Sequence, residues 1–353
     1  MHYCKIGNDG AGLTNQIFAL ITSIIIAFYE KQKVIIVDNF LNDINTKTYS
    51  PITDILNVDD INLFLKQTYD LIIIDKYNIH FEILSAQYGT NETNYLNLTD
   101  FIKNKYYREN KLCISNTFCF NEIKGDPCPG EIKHFMLKYK INDHYIEEIY
   151  DENIKNININ FNTSYIFSFG RIDLFNHAMF DKILTNIRYN NDFIVKSDMI
   201  TQQFNTNEKI NIVHLRLEDD GILHWSKQNN ITPSKYKAYL EEKYIHLIKT
   251  YISDVDKTII LSSSLSNKVI DFLNENNYNY TFTDKMYNYR EKNAIIDLLI
   301  STYCNNIFIG NFNIKNNNGS VFSYYIWKKI KHNVSTIYID LDRIYDKEVI
   351  LNY

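Results

Sequence analysis

Apolar residues in the second half of the chain come as short β-branched runs separated by longer stretches with helical spacing. That pattern predicts a buried strand over 210–217, then a helix from Pro233, a residue suited to a first helical position, to Ile252. Further along it predicts a strand Thr258–Leu261, a helix Leu265–Asn274, a short strand near Tyr280 and a helix Glu291–Tyr303. A strand Asn306–Gly310, a helix from about Ser320 to Lys331 and a strand Thr336–Asp340 complete the series. Such alternation implies a parallel sheet with helices on both faces.

The first half opens in the same way. Residues 3–6 read as a strand and Gly7 to Gly12 as a polar turn. A buried helix runs from Asn15 or Gln16 to Tyr29, and a second strand spans Lys33–Asp38. This β-α-β opening offers a helix N-terminus to an anion. It invites a dinucleotide reading, but Asn15 stands at the third glycine position and Asp38 lies too far downstream. Between Tyr49 and Asn162 the pattern is less regular, with a strand Asp70–Asp75, a mixed segment Asn94–Tyr107 and a loop Gly125–Gly130. Ser164–Phe169 reads as a strand, and Phe175–Tyr189 as a helix continuing into Phe193–Phe204. The polar run from Gln202 to Asn207 suggests a boundary near residue 205, dividing the chain into domains 1–205 and 206–353.

Composition narrows the function. At 353 residues and 45% hydrophobic the chain can bury a sizeable core, and a net charge of −5 lacks the basic surplus of a nucleic-acid binder. Five cysteines without a C-x-x-C pair support neither a zinc site nor a disulfide framework. The most apolar segment, Ile17–Tyr29, is shorter than the roughly 20 residues a bilayer needs. With no signal-peptide pattern, a cytoplasmic protein without a membrane span is expected.

The chemistry concentrates where strand 210–217 stops. Arg216 stands there, followed by Glu218, Asp219 and Asp220. In open α/β sheets ligands bind at the carboxyl ends of strands, and a guanidinium fork suits a phosphate. The plainer alternative is that Arg216 merely pairs with Glu218 or Asp220. A guanidinium at an open strand end is expected to contribute little to the core. Lys328, Lys329 and Lys331 suit the dipole at the end of the last helix and are expected to be solvated.

Three separated pieces resemble the GDP-fucose-dependent fucosyltransferases, the α1,2-, α1,6- and protein O-fucosyltransferase group. Gly12-Leu13-Thr14-Asn15-Gln16-Ile17-Phe18 resembles their G-L-x-N-Q-x-F signature. Val213-His214-Leu215-Arg216 with Asp220 resembles their H-x-R-x-x-x-D donor motif. Phe308-Ile309-Gly310-Asn311 with Ser320-Val321-Phe322-Ser323 resembles their F-I-G-N…S-x-F-S segment. The resemblance implies a GT-B-like α/β fold, two facing Rossmann-like domains with a nucleotide-sugar cleft between them. It also implies inverting fucosyl transfer from GDP-fucose to a glycan or protein hydroxyl, with no cofactor and no metal. Arg216 would stabilise the leaving diphosphate. Gly12, Asn15, His214, Asn311, Ser320, Val321, Phe322 and Ser323 would line the donor site, with the Ser320 and Ser323 hydroxyls toward the β-phosphate.

The sequence departs from that pattern in places. Leu217 stands where the α1,2 and α1,6 branches carry a second Arg, as in the protein O-fucosylating branch. Ser262-Ser263-Ser264 follows Leu261 where the base-reading segment often has an acid. Candidates for the general base are Asp9, Glu218, Asp220 and His224. Two rival readings are a catalytically silent sugar-nucleotide or glycan-binding module, and a metal-dependent transferase using Asp340-Leu341-Asp342.

Overall fold

A parallel sheet organises the C-terminal part of the chain. The computed structural model describes residues 2–4, 12–90, 94–108, 111–114, 120–121, 125–152, 156–159, 172–204, 208–283, 285–313, 318–330, 334–339 and 349–351. Strand Ile210–His214, buried at every position, lies between strands Lys257–Leu261 and Ile307–Gly310. Tyr280–Phe282 extends the sheet on one side and Ser335–Tyr338 on the other, all in parallel. Val349–Leu351 closes the second edge antiparallel. The run of Ile, Val and Leu in these strands fits burial on both faces. Helix Pro233–Tyr251 contributes Tyr236, Leu240, Tyr244, Leu247 and Ile248 to the core on one face. Their spacing of three and four residues is the helical apolar stripe.

The chain divides into two compact units interleaved in sequence. The first comprises Met1–Lys5, Ile26–Asn39 and Asn62–Ile166; the second comprises Ile6–Ile25, Phe40–Ile61 and Phe167–Tyr353. The expected boundary near residue 205 falls within the second unit's last segment. Contacts across residue 205 within that unit give the physical reason. The Phe18 ring stacks on Tyr325 at 5.9 Å and meets Tyr324 edge-on at 6.2 Å, and the hydroxyls of Tyr189 and Tyr325 meet at 3.1 Å.

The first unit holds a parallel sheet of His2–Cys4, Val34–Val37 and Ile72–Asp75. It also holds an antiparallel sheet that the irregular pattern hid: Phe81–Gly89 pairs with His134–Ile141, which pairs with His144–Asp151. In His134–Ile141 burial alternates, with Phe135, Leu137, Tyr139 and Ile141 inward, the period of two expected of a half-buried strand. The β/α alternation that opens the chain therefore stops in this unit, where the sequence pattern is less regular. Asn94–Tyr107 resolves into strand Tyr95–Asn97 and helix Thr99–Tyr106.

Several boundaries moved. Helix Leu13–Tyr29 starts earlier than Asn15. The expected helix Phe175–Phe204 is two helices, Ala178–Asn186 and Asn191–Thr201. Strand 210–217 ends at His214, and an unexpected helix Asp219–Gln228 follows it. The expected strand Ser164–Phe169, Asp9, and the pair Asp340 and Asp342 lie outside the described residues. Cys113, Cys128 and Cys304 are free thiols. Among the described residues no helix is long and apolar enough to cross a membrane.

Candidate functional site

The order of the parallel strands decides where a ligand could sit. From Ile210–His214 the chain steps outward through Lys257–Leu261 to Tyr280–Phe282, then returns to the other side of its first strand with Ile307–Gly310. That reversal is a topological switch point, the place where open α/β sheets bind ligands, beyond the carboxyl ends of Ile210–His214 and Ile307–Gly310. His214, Asn311, Ser320 and Ser323 meet there.

A closed hydrogen-bond network fixes these four residues. His214, 6% exposed, meets the Ser323 hydroxyl through Nδ1 at 2.6 Å, and the Asn311 amide donates to that hydroxyl oxygen at 3.0 Å. The Ser323 hydroxyl, while accepting from Asn311, can donate to Nδ1, an arrangement in which the neutral imidazole carries its proton on Nε2. Burial pulls the His214 pKa down to about 4, partly offset by the Glu218 charge, so the ring is neutral at pH 7. Gly310 makes the approach feasible: a Cβ there would lie 2.8 Å from Phe308 Cζ and 3.0 Å from Ser323 Oγ. The Ser320 amide donates to the Asn311 carbonyl at 2.7 Å, and the Ser320 hydroxyl caps helix Val321–Ile330 by accepting from the Ser323 amide at 3.3 Å. The Ser320 and Ser323 hydroxyls are therefore spent on the protein itself. What the turn presents to a ligand is the helix N-terminus at Val321 and Phe322, whose ring lies 5.0 Å from His214.

Tyr244, which the sequence did not single out among 28 tyrosines, joins the two halves of the site. Its buried hydroxyl donates to the His214 carbonyl at 2.7 Å, contacts Asn311 Oδ1 and accepts from the Arg216 amide at 2.9 Å. Among the described residues the buried Asn311 Nδ2 group has no hydrogen-bond partner.

Arg216 is held from two sides. Nη1 donates to Glu218 at 2.8 Å, and the fork pairs with both Asp220 oxygens at 3.2 and 2.9 Å. The Arg216 and Glu218 side chains are only 20% and 16% exposed, against 59% for Asp220. The expectation that this guanidinium contributes little to the core is thus corrected. Burial pushes the Glu218 and Asp220 carboxyls up, but Arg216 outweighs it and holds both below the usual range. The Ser262–Ser264 run has a role here: Ser263 donates to Glu218 at 3.0 Å and Ser262 to the Leu215 carbonyl at 3.3 Å. Gly221 lies flush against the guanidinium, where a Cβ would sit 3.1 Å from Cζ and Nε. His224, exposed and one turn beyond Asp220 on the same helix face, contacts Gln228 at 3.1 Å and packs edge-on against Trp225.

Around the first motif the structure assigns different tasks to neighbouring residues. Gln16 is fully buried and clasps Leu41, accepting from its amide at 2.8 Å and donating to its carbonyl at 3.0 Å. Asn15, half-buried, is the third residue of its helix and so is not the N-cap. The anion expected at this helix start is a protein carboxylate: Glu291 accepts the Leu13 amide at 2.5 Å, with Gly12 against it. The dinucleotide reading loses its phosphate position accordingly. Lys328 and Lys329 are not solvated. Lys328 pairs with Asp181 at 2.8 Å, and Lys329 donates to the Leu184 carbonyl at 2.7 Å, its pKa pulled down to about 8 by burial.

Asp297 was also missed. It sits on helix Arg290–Ser301, bonded by the Thr283 hydroxyl just beyond strand Tyr280–Phe282. Its carboxyl lies deep although the residue as a whole is half-buried, and burial raises its pKa to about 6, with the Glu218 charge adding to the rise. Among the described residues no group of three or more His, Cys, Asp or Glu side chains could hold a metal ion.

No protein-family model matches the chain, and no curated protein matches its sequence. Solved structures do. The crystal structure of POFUT1 in complex with GDP matches with a TM-score of 0.50 at 10% identity, covering 96% of this chain and 98% of that one. The fucosyltransferase NodZ from Bradyrhizobium covers 100% and 99% at 11% identity, with a TM-score of 0.49. At such identities the likeness is one of fold, and the POFUT1 match carries it. The chain has the α/β, GT-B-like fold of fucosyltransferases.

Proposed function

We propose that this chain is an inverting glycosyltransferase that moves fucose, or a related sugar, from a GDP-sugar to a hydroxyl on a glycan or protein. One observation carries the reading: a guanidinium fork fixed at the carboxyl end of the central strand, beside a switch-point crevice that also offers a helix N-terminus. In such a transfer the acceptor oxygen bonds to the anomeric carbon while the bond from that carbon to the phosphate oxygen breaks. The electron pair leaves on the diphosphate, and the hydroxyl proton goes to a base. Donors fixed in advance where that charge develops are usually the largest catalytic contribution. Arg216, the Val321 and Phe322 amides and the His214 Nε2–H fill that role.

Glu218 and Asp220 are spent on Arg216 and held ionised by it, which makes them weak proton acceptors. His224 is the described candidate outside that cluster and is the base in this reading. For the nucleobase, Asp297 supplies the acid that Ser262–Ser264 lacks. A carboxylate there suits the paired N–H donors on the edge of guanine. Residues 206–353 would carry the donor nucleotide and 1–205 the acceptor side. The reading involves no metal or cofactor, so turnover in excess chelator should persist.

The second reading, a silent nucleotide-sugar binder, is favoured by a specific observation: Arg216 is already engaged by two carboxylates. Thermal stabilisation by GDP, UDP and CDP, followed by release of GDP from GDP-fucose, tests both. Ligand at about 100 times its Kd should add about 2.7 kcal/mol of stability. Preferential stabilisation by GDP with slow GDP release supports the enzyme; stabilisation without release supports the binder. Equal shifts for all three nucleotides would leave a diphosphate site and remove the fucose reading.

A further inference from the structure

The charge at the crevice does not balance. Arg216 contributes one positive charge and Glu218 and Asp220 two negative ones, so the cluster carries a net negative charge before any diphosphate arrives. A diphosphate brought to Arg216 alone would meet like charge. The residue that follows the Arg216 position, Leu217, is apolar and buried at 1% exposure, so it adds no charge. A second cation has to come from elsewhere in the fold.

Arg290 opens helix Arg290–Ser301, and a ring of hydrogen bonds drawn from three distant segments fixes its backbone. Asp43 accepts the Arg290 amide at 3.3 Å while also accepting the amides of Asn45 and Thr46 at 2.8 and 3.0 Å. The neighbouring Glu291 accepts the Leu13 amide, and Gln16, one turn along from Leu13, clasps Leu41, two residues before Asp43. The ring thereby ties the start of this helix to the start of helix Leu13–Tyr29. The guanidinium that projects from it is 40% exposed. Its Nε lies 3.8 Å from Glu291, and among the described residues its two Nη groups have no hydrogen-bond partner. Helix Arg290–Ser301 links the parallel strands Tyr280–Phe282 and Ile307–Gly310, so it starts at the same carboxyl edge of the sheet as Arg216, and the charge of Arg290 is felt at the Asp220 carboxyl.

We propose that Arg290 is the second diphosphate-binding cation of this chain, supplied by a helix start and not by the residue after Arg216. This rests on the nucleotide-sugar reading above. An exposed guanidinium with free Nη groups can turn toward a phosphate at low cost, and its charge-assisted bonds fall on the outer phosphate. Such a contact is made equally in the ground state and the transition state, so it should govern donor affinity more than the chemical step.

The test measures GDP and GMP affinity, and donor KM and kcat, for the parent protein and three variants. These are Arg290→Gln, Arg290→Lys and Lys292→Gln, the last removing an equal charge from the same helix. Arg290→Gln should weaken GDP about tenfold or more and GMP much less, raise KM to match, and leave kcat within about threefold. Arg290→Lys should recover part of the loss, and Lys292→Gln should resemble the parent. GDP affinity should also depend less steeply on salt in Arg290→Gln than in the parent. If Arg290→Gln binds GDP as tightly as Lys292→Gln does, Arg290 is a surface residue and the proposal falls while the transferase reading stands. A parent that binds no GDP overturns the nucleotide reading itself, and this proposal with it.

Discussion

Replacing Arg216 by Lys separates a diphosphate clamp from a structural ion pair. The guanidinium makes three charge-assisted bonds, at 2.8, 3.2 and 2.9 Å, two of them as a fork on Asp220. An ammonium keeps the charge but can reproduce only part of that geometry. Arg216→Ala also strands Glu218, whose side chain is 16% exposed, leaving it the Ser263 hydroxyl as a side-chain hydrogen-bond donor. Breaking a buried pair costs roughly 3–5 kcal/mol, and the partial exposure of Arg216 and Asp220 reduces that to about 2–3 kcal/mol for Ala. For Lys about 1 kcal/mol is expected, a fall of only a few degrees in Tm. Turnover should respond on another scale, since loss of one well-placed oxyanion donor costs roughly 10²–10³. The assay is GDP release from GDP-fucose per folded molecule, with Tm recorded alongside. Pairing Arg216→Met with Glu218→Gln removes both charges of the buried pair and should recover much of the stability without recovering turnover. Near-normal turnover in Arg216→Lys, or restored turnover in the paired variant, would refute the clamp.

Gly221→Ala isolates the same group sterically. A methyl 3.1 Å from the Arg216 Cζ and Nε must displace the guanidinium by a few tenths of an ångström, while the helix gains up to about 1 kcal/mol of propensity. Tm should hold or rise as GDP release falls; unchanged release would mean the guanidinium's position is unimportant. For His214 the folded pKa of about 4 lies below the ordinary 6.5, so between these values the unfolded chain binds more protons. Stability should fall as pH drops below about 6.5 and level off below about 4. That difference of about 2.5 units corresponds to roughly 3 kcal/mol. Denaturant melts across pH would expose this limb, and His214→Asn should lack it. Asp297 shifts the other way, from 3.8 to about 6, so its stabilising contribution is full below 3.8 and lost as pH rises through 6. Asp297→Asn should therefore be more stable than the parent above pH 6 while losing preference for GDP over UDP; retained preference would remove Asp297 from base reading.

The sequence by itself determined the C-terminal sheet and the chemistry at its centre. Ile210–His214, Lys257–Leu261 and Ile307–Gly310 are short runs dominated by Ile, Val, Leu and Phe, which suits burial in a parallel sheet, and Arg216 follows the first of them with charge. Helix Pro233–Tyr251 announced itself through Pro233 and its apolar stripe. Local pattern suffices there because the periods of strand and helix are properties of consecutive residues. The same local signal existed in His134–Ile141, whose alternation the surrounding polar and aromatic residues masked.

Tertiary structure alone decided which way the polar groups turn. The Ser320 and Ser323 hydroxyls, expected to face a phosphate, instead cap a helix and support His214, because buried hydroxyls close to backbone amides bond to them first. Glu291 and Leu13 are 278 residues apart and Arg290 and Asp43 are 247 apart, and no periodicity encodes such meetings. Tyr244 and Asp297 belong to the same class. Each lies on a helix whose pattern reveals its buried face but not what that face touches, since the partners come from strands and turns that only chain topology brings together.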